Sequence, residues 1–225
     1  MAFLRRDQRR LPAAVEHAEK AVALSRDLDD PISLAHALAD LGLVVKHVDP
    51  ERAGEVAREA LTLLPDDDRA YRRAALHVIL GSLCYAEDPD LEALQDWLEK
   101  ARALGDPPSS YAGLKVRWFE GLEAWRSGRT AKAVETLDDV FYGLLEQECH
   151  AYAATCALDL AQVHLEAGDP QAASDVAGML FPVLGALRHD QEALSALRIF
   201  CRAAEQRTLD TDVLQEVRRR LEGTS

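Results

Sequence analysis

Cys149, His150, Cys156 and His164 form the densest collection of metal-ligating side chains in the sequence. All four lie in one stretch that reads as a single helix, and at 1.5 Å rise per residue Cys149 and His164 stand about 22 Å apart. One ion cannot span them without ligands from a second helix, because a structural zinc gathers four. The apolar patterns around Cys84, Cys149, Cys156 and Cys201, with no CxxC pair, read instead as buried reduced thiols of a cytoplasmic protein. No GxSxG elbow, no glycine-rich phosphate loop ending in Lys-Ser or Lys-Thr and no HExxH are present, so the usual warrants for nucleophilic, phosphoryl-transfer and zinc chemistry are missing. The expectation is a protein that is not an enzyme, with no catalytic residue, no metal and no cofactor.

Charge narrows the partner class. The formal net charge of −13 repels nucleic acid and anionic membrane alike, which leaves a protein or peptide as the expected partner. The basic runs at Arg5, Arg6, Arg9 and Arg10 and at Arg218, Arg219 and Arg220 lie near the chain ends and carry no interleaved aromatic residues for base stacking. They read as solvated termini, the second set placed in a last helical turn where cations are favoured. MAFLRRDQRR lacks the apolar region of a secretory signal, and no apolar run approaches the roughly 18 residues needed to cross a bilayer. A cytoplasmic protein without a membrane anchor is expected.

These residues must be positioned by helices. The aromatic share is low at 6%, and apolar residues recur at helical rather than alternating spacing, so the chain reads as all-α. Its clearest stretch, LGLVVKHVDPERAGEVAREALTLLP from Leu41 to Pro65, reads as two helices joined by a tight turn, with Asp49 as cap and Pro50 in the first turn. Small residues recur at one place in the first helix of each pair, Gly42, Gly81, Gly121 and Ala161, spaced by 39, 40 and 40 residues. The second helices carry Ala14, Ala53, Leu94, Ala133 and Ala173, spaced by 39, 41, 39 and 40. Two series with one period mark a repeat whose units bury their faces against one another.

The stretch from Leu41 to Pro65, with Gly128-Arg-Thr-Ala-Lys-Ala133 and Gly168-Asp-Pro-Gln-Ala-Ala173, resembles the tetratricopeptide repeat. The period is close to 40 rather than the commoner 34, a length also found in armadillo and HEAT units. The segment from Leu114 to Phe200 is similar to the C-terminal part of uncharacterised bacterial tetratricopeptide proteins, through LKVRWFEGLEAWRSGR and ALDLAQVHLEAGD. The resemblance implies a right-handed α-solenoid of antiparallel helix pairs. One domain over 1–225 is expected, with an incomplete first pair at 1–28, pairs at 31–65, 67–104, 111–146 and 148–187, and a capping pair at 190–222. Gly105-Asp-Pro-Pro-Ser-Ser110 is the strongest breaker and the candidate subdomain joint. Pro182 is expected to kink its helix.

In the first helix, 11–28, Ala14, Ala18, Ala21 and Val22 share the face expected to be buried. Its partner helix is nearly missing, so cover would come from Phe3 and Leu4, from a second copy in a homodimer, or from a segment upstream. Long repeats of this kind resemble those of bacterial regulators and sensors.

A repeat array of this type implies a concave groove lined by its first helices. The offsets name His36, Leu43 and Lys46; Val78, Ser82 and Tyr85; Lys115, Trp118, Leu122 and Trp125; and Gln162. Trp118 and Trp125 are either anchors in that groove or, with Leu114, Gly121 and Leu122, part of a helical core stripe. Ala39 with Leu43, and Val78 with Ser82, stand where arrays that clamp a C-terminal carboxylate carry Lys and Asn. The expected occupant is therefore an apolar peptide or amphipathic helix. The function expected is a protein-interaction scaffold, the alternative a ligand- or peptide-sensing module of a larger bacterial regulator.

Overall fold

The structure is a computed structural model and describes residues 11–46, 48–180, 183, 191–205 and 207–224. Among these residues it is entirely helical. In chain order the helices are α1 (Leu11–Asp27), α2 (Pro31–Val45), α3 (Pro50–Leu63), α4 (Arg69–Cys84), α5 (Leu91–Arg102), α6 (Tyr111–Arg126), α7 (Thr130–Glu146), α8 (His150–Glu166), α9 (Pro170–Met179), α10 (Gln191–Glu205) and α11 (Thr211–Thr224). None is long and apolar enough to cross a membrane. The kink expected at Pro182 and the residues preceding Leu11 lie outside the described residues.

Local chemistry sets the starts and stops. Asp30, Asp49 and Asp169 each precede a proline at the first helical position, and each carboxylate accepts backbone N–H bonds from the first turn. Asp68 and Asp90 cap α4 and α5 in the same way, and Ser110 caps α6. At the other ends, Gly128 and Gly168 adopt φ of 74° and 77°. The N–H of the residue after each glycine reaches back five residues, Arg129 to the carbonyl of Ala124 and Asp169 to that of His164, which satisfies carbonyls the helix leaves open.

The contacts divide the chain into two compact units, and the chain passes from one to the other between Asp106 and Pro107, inside the Gly105–Ser110 breaker. Within each unit every helix packs against its successor, and alternate helices also meet, α2 with α4 and α6 with α8. The first unit, α1 to α5, is built on Leu38, Leu41, Val45, Ala53, Ala57, Val78 and Ile79. Gly42 lets α2 approach α3: a Cβ there would stand 3.4 Å from both the Ala53 carbonyl oxygen and Val56 Cγ2.

The face of α1 differs from the one expected. Val15, Ala18 and Val22 turn toward the core, while Ala14 and Ala21 are exposed. Burying the two valines removes more apolar area from water than burying two alanines, which decides the rotation of the helix. Leu24 and Leu28, 63% and 74% exposed, are left on the outer side.

The second unit, α6 to α11, centres on α8. Every residue of α8 from Cys156 to Val163 is buried. Helix α7 covers one side of it, α9 another, and α6 and α11 also pack on it. Helix α10 packs on α9 and α11.

Candidate functional site

The second unit holds the most unusual polar group of the fold. Asp159 lies in the middle of α8, in the apolar run Ala157-Leu158-Asp159-Leu160-Ala161, and is 0% exposed. A carboxylate there is tolerated only when its oxygens are satisfied. Trp118 of α6 donates its indole N–H to Oδ2 at 2.7 Å, and Arg218 of α11 donates from Nη1 to Oδ1 at 2.7 Å. Two helices distant in sequence are thus tied to the central one by charge-assisted hydrogen bonds. Lys115, one turn before Trp118, holds its Nζ 4.3 Å from the Trp118 ring, 4.9 Å from Tyr152 and 5.3 Å from Phe119. Tyr111 lies 5.4 Å from Tyr152, and burial pushes the Tyr111 hydroxyl well above its ordinary titration range.

This geometry decides the role of each tryptophan. Trp118, 2% exposed, belongs to the core and offers no surface to a partner. Leu122 is fully buried with it. Trp125 stays half-buried, donating its indole N–H to Glu166 Oε2 at 3.0 Å, and the Arg126 guanidinium lies 4.6 Å from its ring. Gln162 is buried and donates to the other oxygen of Glu166 at 2.7 Å. The positions named from the repeat offsets therefore do converge in this unit, Trp125 with Gln162 through Glu166 and Lys115 with Trp118. They converge as a packed interior rather than as an open lining.

In the first unit the offsets give a mixed result. Val78 is buried against Gly42. Ser82 faces α3, where a Cβ on Gly54 would stand 2.5 Å from its hydroxyl oxygen, and donates to the Ile79 carbonyl at 2.8 Å. Val78 is an interior position and leaves the expected lining, while Ser82 is half-buried. His36 spans α2 and α4: its ring stacks on Tyr71 at 3.9 Å and its Nε2 meets Asp68 Oδ2 at 2.7 Å. That contact holds the Asp68 carboxyl below its ordinary range, while burial raises that of Asp40. Leu43 and Lys46 are half-buried, and Tyr85 is 43% exposed. These three keep accessible surface near the ends of α2 and α4.

Sequence reading missed Asp159 and Arg218 as a pair. Arg218 is no solvated terminus: it lies two turns inside α11 with its side chain 20% exposed, while Arg219 and Arg220 pair with Glu216 on the outside. The signal available was the lone carboxylate in the apolar run of α8. A second buried carboxylate, Glu123, is accounted for locally, since Ser127 and Arg129 both donate to it across the α6–α7 turn. Cys84 and Cys156 are buried free thiols, and Cys149 and Cys201 are half-buried. Burial holds the Cys156 thiol far above its ordinary range. Among the described residues no three metal-ligating side chains gather.

No protein-family model and no curated protein matches this chain. Its own geometry must carry the functional reading. The most distinctive feature of that geometry is a buried carboxylate on α8 that accepts from side chains of two other helices, α6 and α11.

Proposed function

We propose that the chain is a protein-interaction scaffold of tetratricopeptide type, binding a peptide or partner helix on the surface of its stacked helix pairs and catalysing no reaction. One observation carries the reading: small residues two repeats apart stand at equivalent helix crossings. Gly42 lies against Ala53 and Val56, and Gly121 lies against Thr136 and Leu137. Pairs built on one crossing stack on their neighbours, and such stacking produces extended, preformed surfaces that lose little conformational freedom on binding. Of the expected lining positions that keep accessible surface, Leu43, Lys46 and Tyr85 lie near the ends of α2 and α4, an apolar and cationic set suited to a peptide that is itself apolar with acidic flanks.

A photo-crosslinking side chain placed at Tyr85 or Lys46 is expected to capture a protein from lysate. The same group at the exposed positions Glu55 and Glu92 on α3 and α5 should not capture it. Equal capture from all four positions, or from none, sinks the reading.

A further inference from the structure

We infer that α1 is a contact between two copies of this chain, packed antiparallel along the seam Ala14, His17, Ala21, Leu24 and Leu28. The inference goes beyond the scaffold reading and does not depend on it. These residues are spaced by 3, 4, 3 and 4, the heptad rhythm that keeps side chains along one line of a helix. All five are exposed, Leu24 and Leu28 by 63% and 74%. Leu28 prolongs the seam past the helix end, because its N–H still bonds the Leu24 carbonyl at 3.1 Å. His17 satisfies one ring nitrogen within its own helix, donating from Nδ1 to the Ala13 carbonyl at 2.6 Å. The seam is separate from the face that builds the unit. Val15, Ala18 and Val22 turn to the core, while Glu19 and Arg26, on the side of α1 away from the seam, pair with Arg52 and Glu59 of α3.

Charge selects the occupant and its direction. One flank of the seam, Ala18 and Ser25, is half-buried against the unit's own body, and the other carries Lys20 and Asp27, both exposed. In an antiparallel pair, Ala21 of each copy meets Leu24 of the other, and His17 meets Leu28. That register sets Lys20, between the two layers, beside Asp27 of the second copy, and the two-fold axis repeats the ion pair. A parallel pair would instead stack His17 on His17 and Ala21 on Ala21, and would set Lys20 against Ser25. The seam is thus complementary to itself when the copies run in opposite directions, which is what an isologous contact requires. Lys20 also touches Glu16 at 2.6 Å, but both side chains are exposed and a pair of this kind does not withhold the ammonium from a second carboxylate. The helix has 17 residues and is about 25 Å long, so the contact is a small one and the dimer reversible.

Sedimentation velocity of the full chain between about 1 μM and about 1 mM, the window of reversible contacts, is expected to show a monomer–dimer equilibrium. Leu24→Glu changes an exposed position outside the core and should hold the chain monomeric throughout. Lys20→Glu and Asp27→Lys, each alone, set like charges against one another at both symmetry-related pairs and should weaken the dimer about tenfold. The chain carrying both substitutions should recover wild-type affinity, and the two single variants, when mixed, should pair with each other. A wild-type chain that stays monomeric over the whole range overturns the proposal. So does a dimer that survives Leu24→Glu, since it would use another face. A double variant as weak as the single ones overturns the antiparallel register and, with it, the second copy as occupant. Failure here leaves the scaffold reading intact, because its own test probes Tyr85 and Lys46 on α4 and α2.

Discussion

At Gly113 the first turn of α6 runs against the prolines that lead into it. A Cβ there would stand 2.1 Å from the Pro107 carbonyl oxygen and 2.9 Å from Pro108 Cα. Ring-constrained backbone cannot give way as a flexible side chain can, so Gly113→Ala is expected to destabilise the protein by about 1–3 kcal/mol despite the better helix propensity of alanine. Gly178, on α9, is the control: open space surrounds its Cβ position, and Gly178→Ala should gain about 0.4–1 kcal/mol. Urea denaturation of the two variants measures the contrast, and equal effects would show that Gly113 has no close contact. At this scale the sequence was only partly legible. The spacing of Leu114, Trp118 and Leu122 left core and groove both open for Trp118, because a buried stripe and a concave lining share one helical period. Burial of its indole against Asp159 settles the matter, and that contact crosses 41 residues of chain, beyond any local pattern.

The turns that join the elements offer the next prediction. Gly128, Glu148 and Gly168 end α6, α7 and α8 in the same left-handed conformation, and in each case the following N–H reaches back five residues. Glu148, at φ 54°, does so with a side chain, where an L-residue is disfavoured by roughly 1–2 kcal/mol. Glycine gives back part of that advantage through the greater freedom of the unfolded chain. Glu148→Gly is therefore expected to stabilise the protein by about 0.5–1 kcal/mol in thermal or chemical unfolding, and a loss of stability would mean that the Glu148 side chain makes a contact worth more than the backbone strain. These elements were the most legible part of the fold, because Asp-Pro starts and glycine stops act within a few residues. Where the punctuation was missing the reading slipped: with no glycine between α7 and α8, the start of α8 was expected at residue 148 and falls at His150. The inward turn of Arg218 was unreadable for a different reason. The identical run Arg218-Arg219-Arg220 has no local feature that tells the buried member from its exposed neighbours, and only the carboxylate on α8 does so.

For the whole molecule, depressed carboxyls tie the stability of the first unit to pH. In the first unit Asp30, Asp68 and Asp106 all sit below the ordinary carboxyl range, held there by hydrogen bonds from Ser33, His36 and Arg73 respectively. A carboxyl whose folded pKa is depressed contributes stability that is complete above its unfolded value, about 4, and is lost as the pH falls through the folded value. Asp40 works in the opposite sense: burial raises it, so its contribution is present at low pH and lost as the pH rises through its folded value. In the second unit Glu216 is lowered by the exposed Arg220 and Arg219, a surface arrangement of small effect, and Asp138 is raised by burial. The depressed carboxyls of the first unit therefore each contribute stability that acid removes. Of the three, Asp106 weighs most: it is largely buried and accepts two bonds from Arg73, at 2.7 Å from Nε and 2.5 Å from Nη2. Hydrogen exchange followed from pH 6 to pH 3, corrected for intrinsic rates, is expected to lose protection in α4, which carries Arg73, as Asp106 protonates. Arg73→Ala sharpens the test, because it removes the group that depresses Asp106. The variant should be less stable than wild type near neutrality, and the gap should close as the pH falls below about 4, once wild-type Asp106 is protonated as well. A gap that holds constant across that range would mean that Arg73 stabilises the unit through packing of its stem alone.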